Sequence, residues 1–302
     1  MGSNVIVKPE VWAEIRRQKA LPFTGIPTGF PSWDRACRDE GCGKGLAKGW
    51  HITLAGDTGG GKSLMATQLA VNALKAGCSV GFISLEMSLR QLLTRFLAQW
   101  SGAPVWRLES GDSYDSEMHE KCEAEFQQHI NDAGCNFVLN EDEVDSIEDL
   151  MGCAESMIED GGCDVLITDY MQLLGILDEP EKVYSRTILA SRTLTKVAKN
   201  SNVASIGLSQ YHRMPPNGGR PNKHNLLGGG IVKHDSHQVV HVGQKESDPV
   251  EPRKRSRGQI IIDKNRHGPL LDIPVMWSWD SLTCVETEPW DDINRQDKGI
   301  NK

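Results

Sequence analysis

An α/β fold is what this sequence predicts: a mostly parallel central sheet flanked by helices, with a β-hairpin at its C-terminal end. Three observations point there. From His51 onward, short apolar segments of strand length alternate with longer amphipathic ones. A glycine-rich loop joins the first such strand to the first such helix. A second apolar strand candidate ends in an aspartate, Asp169. Alternation of this kind is the signature of a parallel sheet with helices on its faces.

The elements follow in order. Glu10 to Ala20 (EVWAEIRRQKA) reads as a small amphipathic helix with Val11, Trp12 and Ile15 on one side, and Pro22, Pro27, Gly29 and Pro31 mark a connector after it. Strands are expected at His51–Ala55, Ser79–Ser84, Asn136–Leu139, Val165–Thr168 and Ala204–Leu208. Helices are expected at Ser63–Lys75, Leu89–Trp100, Ser116–Ala133, Ser146–Ile158 and Val183–Asn200. Gln259–Asp263 and Leu271–Met276, joined at His267-Gly268-Pro269, read as the hairpin. The sequence turns polar after Trp290. The expected organisation is a linker segment over residues 1–23, one domain over 24–288 and a polar tail over 289–302.

Gly56-Asp57-Thr58-Gly59-Gly60-Gly61-Lys62-Ser63 satisfies GxxxxGK[ST] between the strand HITLA and the helical pattern LMATQLAVNALK, the setting a P-loop requires. Its glycines let backbone N–H groups turn inward around phosphate oxygens, and the helix N-terminus adds its positive end. Lys62 is expected at the β- and γ-phosphates of ATP and Ser63 on Mg²⁺. Val165-Leu166-Ile167-Thr168-Asp169 supplies the second metal-side carboxylate, with Asp169 expected to hold Mg²⁺ through water. Hydrolysis also needs a group to orient and deprotonate water. Glu86, just beyond the strand that ends at Ser84, suits that role, and equally suits a helix N-terminal acid stabilised by the dipole. Lys264 and Arg266 stand two apart on a strand, so both point to one face, as two cations aimed at a transferring phosphate should. A basic hairpin tip facing solvent has the same pattern.

Composition narrows the class. The formal net charge is −8, from 33 basic against 41 acidic residues, which counts against a surface coated in nucleic acid but not against a local basic channel. From Tyr211 to His234 there is no Asp or Glu, while Arg213, Arg220, Lys223, Lys233 and three histidines occur; Arg253, Lys254, Arg255 and Arg257 form a second cluster. The longest apolar stretch, around Val165 to Leu177, is broken by Asp169 and falls short of the roughly 20 residues of a membrane span. No secretory pattern opens the chain, and eight cysteines without a CxxC read as reduced thiols rather than a zinc site, so a cytoplasmic protein is expected.

SLEMSLRQLLTRFLA resembles the SLEM…Q…R motif of DnaB-type replicative helicases, DYMQLL their DYLQL, and GLSQYHR their LSQLNR. TGIPTGFPSWDR resembles the GxxTGxxxLD opening of their motor domain, and KNRHGP the closing KQRNGP. The five occur in the family's order, over roughly Thr24 to Pro274. The resemblance implies a RecA-like domain working as a ring, a hexamer, in the cytosol of a bacterium or a phage-infected cell. It implies translocation on single-stranded DNA, 5′ to 3′, with a loader or other replisome proteins as partners. Glu86 becomes the catalytic base, Gln210 the γ-phosphate sensor, and Lys264 and Arg266 fingers reaching a neighbouring subunit's nucleotide.

Two departures stand out. Where the family carries an LRESGxIEQDAD-like DNA segment, this chain reads Leu226 to His237, with Leu227 in place of the arginine and three glycines after it. Backbone N–H groups at Gly229 and Gly230, with Lys233 and Arg213 for charge, become the candidate DNA contacts. The family's N-terminal helical domain also has no counterpart ahead of Thr24. The segment around Trp12 resembles in position the linker helix that docks on an adjacent subunit. The chain is therefore expected to be either an excised motor domain or a compact relative from a phage or mobile element. Two other readings keep the same nucleotide site: a RecA- or RadA-like recombination ATPase, and a regulatory or loader ATPase that never unwinds DNA.

Overall fold

The structure, a computed structural model, describes residues 25–39, 42–43, 45–109, 111–140, 143–174, 183–213, 219–248 and 254–288. The amphipathic segment Glu10–Ala20 and the polar tail lie outside these residues. Helix α1 (Pro31–Ala36) comes first, then a small ribbon of β1 (Arg38–Asp39) and β2 (Cys42–Gly43). Next are β3 (His51–Gly56), α2 (Lys62–Lys75), β4 (Val80–Ser84), α3 (Leu89–Ser101), α4 (Val105–Leu108) and α5 (Ser116–Ala133). β5 (Phe137–Leu139), α6 (Ile147–Glu159), β6 (Val165–Asp169), α7 (Val183–Ser201) and β7 (Ala204–Gln210) continue the alternation. α8 (Gly229–Asp235) leads into four strands, β8 (Gln238–Ser247), β9 (Arg255–Asn265), β10 (Leu271–Ser278) and β11 (Thr283–Glu286).

Nine strands form one sheet in the order β11-β10-β9-β8-β3-β7-β6-β4-β5. The six from β8 to β5 run parallel; β9, β10 and β11 are added antiparallel at one edge. Both faces of the parallel part are covered, which is why its strands read as nearly continuous apolar runs. Successive residues part to opposite sides. Phe82 joins a core with Phe96, Met65 and Trp277, whereas Ile83 joins one with Leu150, Leu194 and Val197. Helix ends follow local chemistry: Ser88 with Gln91 and Ser146 with Asp149 form capping boxes, and Gly102 and Gly134 close α3 and α5 in the left-handed conformation. These helices lie within a residue or two of where the sequence pattern sets them.

Two expectations need correcting. The segment Leu226 to His237, expected as a DNA loop, contains α8. Its start is set by Gly228 in a left-handed conformation (φ 69°), and its own Val232 is fully buried. The ten-residue strand β8 has no counterpart among the expected strands, because buried Gln238 and His241 interrupt its apolar pattern. The hairpin is also longer than expected, spanning Arg255–Asn265 and Leu271–Ser278. No helix among the described residues is long and apolar enough to cross a membrane.

The residues just ahead of α1 are clasped to α2. Thr28 is buried, and its backbone N–H (2.9 Å) and hydroxyl (2.6 Å) both donate to Asp34 Oδ1. Asn72 Nδ2 of α2 donates to Thr28 O at 2.7 Å. Removing the carboxylate leaves the Thr28 backbone N–H without a partner and its hydroxyl with only the longer bond to Phe30 O (3.4 Å), in a site from which water is largely excluded. Asp34→Ala is expected to lower stability by about 1–3 kcal/mol, read as a lower urea midpoint at unchanged m-value, the cost of one buried unsatisfied donor.

Candidate active site

The P-loop leaves the end of β3 and re-enters the fold as the first turn of α2. Two glycines are dictated by geometry. A Cβ at Gly56 would lie 2.7 Å from Val242 O and 3.0 Å from Lys62 Cγ; at Gly61 (φ 92°) it would press on the Trp277 ring at 3.1 Å. Thr58 and Gly59 are exposed at the rim, while Lys62 is buried and donates to Asp57 O at 2.7 Å. Burial pulls the Lys62 pKa down; Asp169, Asp57 and Glu86 oppose this.

Parallel pairing of β4 with β6 sets Ser84 opposite Asp169, and Leu85 N–H donates to Asp169 O at 2.7 Å. Glu86 is thereby carried to the same edge as Asp169, and its charge is one of the causes raising the Asp169 pKa. Asp169 is fully buried and neither of its carboxylate oxygens makes a hydrogen bond. Burial, foremost, pushes its pKa up to about 6; the nearby Ser63 hydroxyl pulls the other way without reaching hydrogen-bond geometry. Two buried carboxylate oxygens with no protein partner, beside a serine hydroxyl, are the hard oxygen donors that Mg²⁺ takes. No group of three or more His, Cys, Asp or Glu placed to hold a metal gathers among the described residues, here or elsewhere. One protein carboxylate completed by substrate phosphates and water is how Mg²⁺ is usually held at phosphate sites.

A cleft of about 560 Å³ joins these parts, lined among others by Thr58, Lys62, Ser63, Glu86, Arg95 and Gln210. That volume suits a small-molecule ligand. The alternative role for Glu86, a helix-capping acid, does not fit: α3 begins at Leu89, and Ser88 and Gln91 cap it. Gln210 ends β7 opposite Gly56, and its Nε2 donates to Thr58 Oγ1. Gln172, which the DYMQLL motif contains without a stated role, clamps this strand end. Its Nε2 donates to Ser209 Oγ (2.9 Å) and Gln210 O (3.3 Å), and its Oε1 accepts from Gln210 N–H (3.3 Å). Arg95 falls in the SLEM…Q…R motif and lies on the cleft wall, another placement the sequence carries without an assigned role.

Lys264 and Arg266 are not in this cleft. Register sets Asn265 opposite Gln238, and Gln238 opposite Ile52, at the far end of β3 from the P-loop. Four residues along the strand separate Ile52 from Gly56, roughly 13 Å at about 3.3 Å per residue. Arg266 is exposed in the turn just past the end of β9, as a hairpin-tip cation would be, so the two cations do not share a strand; Lys264, on β9, is half-buried. Lys264 Nζ donates to the carbonyls of Lys233, His234 (3.2 Å) and Ser236 (2.6 Å), and Arg266 Nη2 donates to His234 O. Both therefore cap the C-terminal end of α8, where cations are favoured. Burial, then the charges of Arg266 and Lys233, lower the Lys264 pKa to about 8.

The candidate DNA residues divide. Arg213 and Gly230 are exposed, and Gly229 is buried in the first turn of α8. Lys233 is turned inward, paired with Asp263 Oδ2 at 2.8 Å.

An unpartnered buried carboxylate is costly. Asp169→Asn is expected to raise the thermal midpoint of the nucleotide-free chain by a few degrees while abolishing Mg²⁺-dependent hydrolysis. A lower midpoint would show that Asp169 is instead a structural partner.

Comparison with known proteins shows the family and the fold. The profile of the DnaB-like helicase C terminal domain matches residues 25–283. A probable plasmid replicative DNA helicase of Chlamydia psittaci is 28% identical over 294 residues, covering 94% of this chain and 62% of the relative. The replicative DNA helicase DnaB of Pasteurella multocida (strain Pm70) is 27% identical over 252 residues, 82% of this chain and 52% of the relative. The chain thus spans about half to three-fifths of the length of these relatives. In fold it is similar to a separately solved ATPase domain, with a TM-score of 0.74 at 20% identity over 92% of this chain and 96% of the other. A DnaB-like replicative helicase, solved for its interactions with primase, gives a TM-score of 0.76 at 19% identity over 94% and 69%. Matched by that profile over residues 25–283, this chain belongs to the DnaB-like helicase C-terminal domain family.

Proposed function

We propose that the chain is an ATP-driven helicase motor. It works as a ring, of hexameric size, that hydrolyses ATP with Mg²⁺ at subunit junctions and translocates 5′ to 3′ on single-stranded DNA in replication. The observation that carries this reading is the placement of Lys264 and Arg266 at the opposite end of β3 from the P-loop of the same chain. Cations so placed serve a phosphate only on another subunit. The names of the relatives, replicative DNA helicases, favour this over a recombination ATPase.

In this mechanism the backbone from Gly56 to Gly61 and the Lys62 ammonium bind the β- and γ-phosphates; Lys62 gives up its bond to Asp57 O to do so. Ser63 and Asp169 would hold Mg²⁺, which neutralises charge developing on the phosphates. Glu86, exposed at the cleft wall, orients the attacking water and accepts its proton. Gln210, released from Thr58, reads the γ-phosphate. Lys264 and Arg266, released from the α8 carbonyls, stabilise transition-state charge next door. Arg213 and the N–H groups of Gly229 and Gly230 contact the DNA backbone, and Lys233 joins them once freed from Asp263. Loader or other replisome proteins would complete the assembly.

The shared site is tested by mixing two inactive variants. Arg266→Ala is expected to bind ATP and assemble but lose about 10³-fold or more in turnover, the scale of such fingers. Lys62→Ala loses turnover through its P-loop. Mixed, with subunit exchange confirmed, they regain part of the ATPase rate, because some junctions pair an intact P-loop with an intact finger. Background activity at every ratio rejects the shared site. DNA binding is tested separately: Arg213→Ala should flatten the slope of log K against log salt by about one unit on single strands. Unwinding of a forked duplex by the wild-type chain separates the motor from a regulatory or loader ATPase.

A further inference from the structure

Three polar side chains far apart in sequence meet inside the sheet between the two ends of the proposed shared site. Tyr211 follows Gln210, and its backbone N–H donates to Gly56 O at 3.0 Å, so it moves with the mouth of the P-loop. Its hydroxyl lies 2.8 Å from Nδ1 of His241, a residue of β8 that is only 1% exposed. His241 Nε2 stands 3.9 Å from Asp263 Oδ2, within reach of charge attraction but too long for a hydrogen bond, and makes no other bond. With the imidazole proton on Nε2, the N–H faces the Asp263 carboxylate across that gap and Nδ1 accepts from the tyrosine hydroxyl; the other tautomer reverses the bond to tyrosine.

Asp263 occupies an unusual place on β9. Val239 pairs with Lys264 and Val240 with Ile262, so Asp263 is the extra residue of a β-bulge. Bulges re-aim side chains and are common beside active sites. This one aims a carboxylate at Lys233 of α8 (2.8 Å), with the Arg220 guanidinium 3.8 Å away. The His241 imidazole, close by but beyond hydrogen-bond distance, and then the bonded Lys233 ammonium hold the Asp263 carboxyl well below the usual carboxylate range, against the effect of burial. The next link is covalent: the carbonyl of Lys233 itself is one of the three that accept from Lys264, and Arg266 binds the carbonyl that follows.

A polar network buried in an apolar sheet is coupled through the low dielectric around it, even where, as at His241 Nε2, one atom lacks a hydrogen-bond partner. This one starts beside the γ-phosphate sensor and ends at the residues that park the two finger cations. We propose that Tyr211, His241 and Asp263 form a relay that sets the position of Lys264 and Arg266 according to the state of the nucleotide cleft, with Asp263 as the positioning residue. The proposal rests on the reading of the cleft as an ATP site.

Hydrogen exchange over residues 229–237 tests it, in the wild-type chain with and without Mg²⁺ and a slowly hydrolysed ATP analogue. Analogue binding is expected to change exchange of the α8 amides by about threefold or more in the wild type, as local opening is altered. Tyr211→Phe removes one oxygen and keeps the ring. Asp263→Asn keeps the shape and removes the charge. Each should abolish the response while analogue affinity stays within about twofold, and the double variant should match either single one, as members of one network do. A response of wild-type size in Tyr211→Phe overturns the relay, as does a wild-type chain that binds the analogue with no change in α8. Should the wild type fail to bind the analogue at all, the ATP reading falls, and the relay with it; the affinity measurement shows this apart from exchange.

Discussion

The pairing of β3 between β7 and β8 is the constraint on which the rest depends. All six residues from His51 to Gly56 are buried, so every backbone group of this strand must find its partner within the sheet. The register that results fixes both of its ends. At one end Gly56 faces Gln210, which places the proposed sensor against the P-loop. At the other, Gln238 accepts from Trp33 Nε1 (3.0 Å) through its Oε1 and donates to Asn265 Oδ1 (3.3 Å), tying α1 to the strand end between the two proposed finger cations. The turn bearing His267 is held there as well, its ring stacked on Trp50 at 4.8 Å. A slip of one residue in β3 would misplace both ends together.

Between those ends the cleft is assembled from groups that are poorly satisfied on their own. Asp169 is a buried carboxylate without a hydrogen-bond partner, and Lys62 is an ammonium whose burial lowers its pKa. Neither arrangement favours the fold, and each is suited to a ligand carrying the complementary charge. The surrounding structure offsets the cost with ordinary means: two capping boxes, a clasp at Thr28 and two apolar cores on either side of the sheet. The chemistry sits where local stability is given up.

Much of this is legible in the sequence because it is local. GDTGGGKS declares its own turn, and VLITD ends its strand on the metal side. Ser88 and Ser146 mark helix starts by their capping partners three residues on. What stays hidden is either non-periodic or non-local. β8 carries Gln238 and His241 at buried positions, so its pattern resembles no standard strand. Three glycines at 228–230 read as a loop, yet the helix they begin is stabilised from outside, by Lys264 and Arg266 at its far end. The partnership of Tyr211, His241 and Asp263 spans 52 residues of chain and depends on a bulge that only the paired strands reveal. The fate of Lys233, bound to Asp263 instead of extended to solvent, is of the same kind.

The separation of the proposed finger cations from the P-loop along β3 has a consequence for symmetry. A chain that offers cations at one end and a phosphate cradle at the other presents two different surfaces, so contact between copies is heterologous rather than isologous. A two-fold dimer, which matches a surface with itself, cannot complete such a site by this contact. Head-to-tail copies either close on themselves or extend without limit. In a closed ring every cradle has a finger. In an open row the last cradle has none, so on the proposed reading the completed sites number one fewer than the subunits, and a ring opened to admit a strand would lose one site.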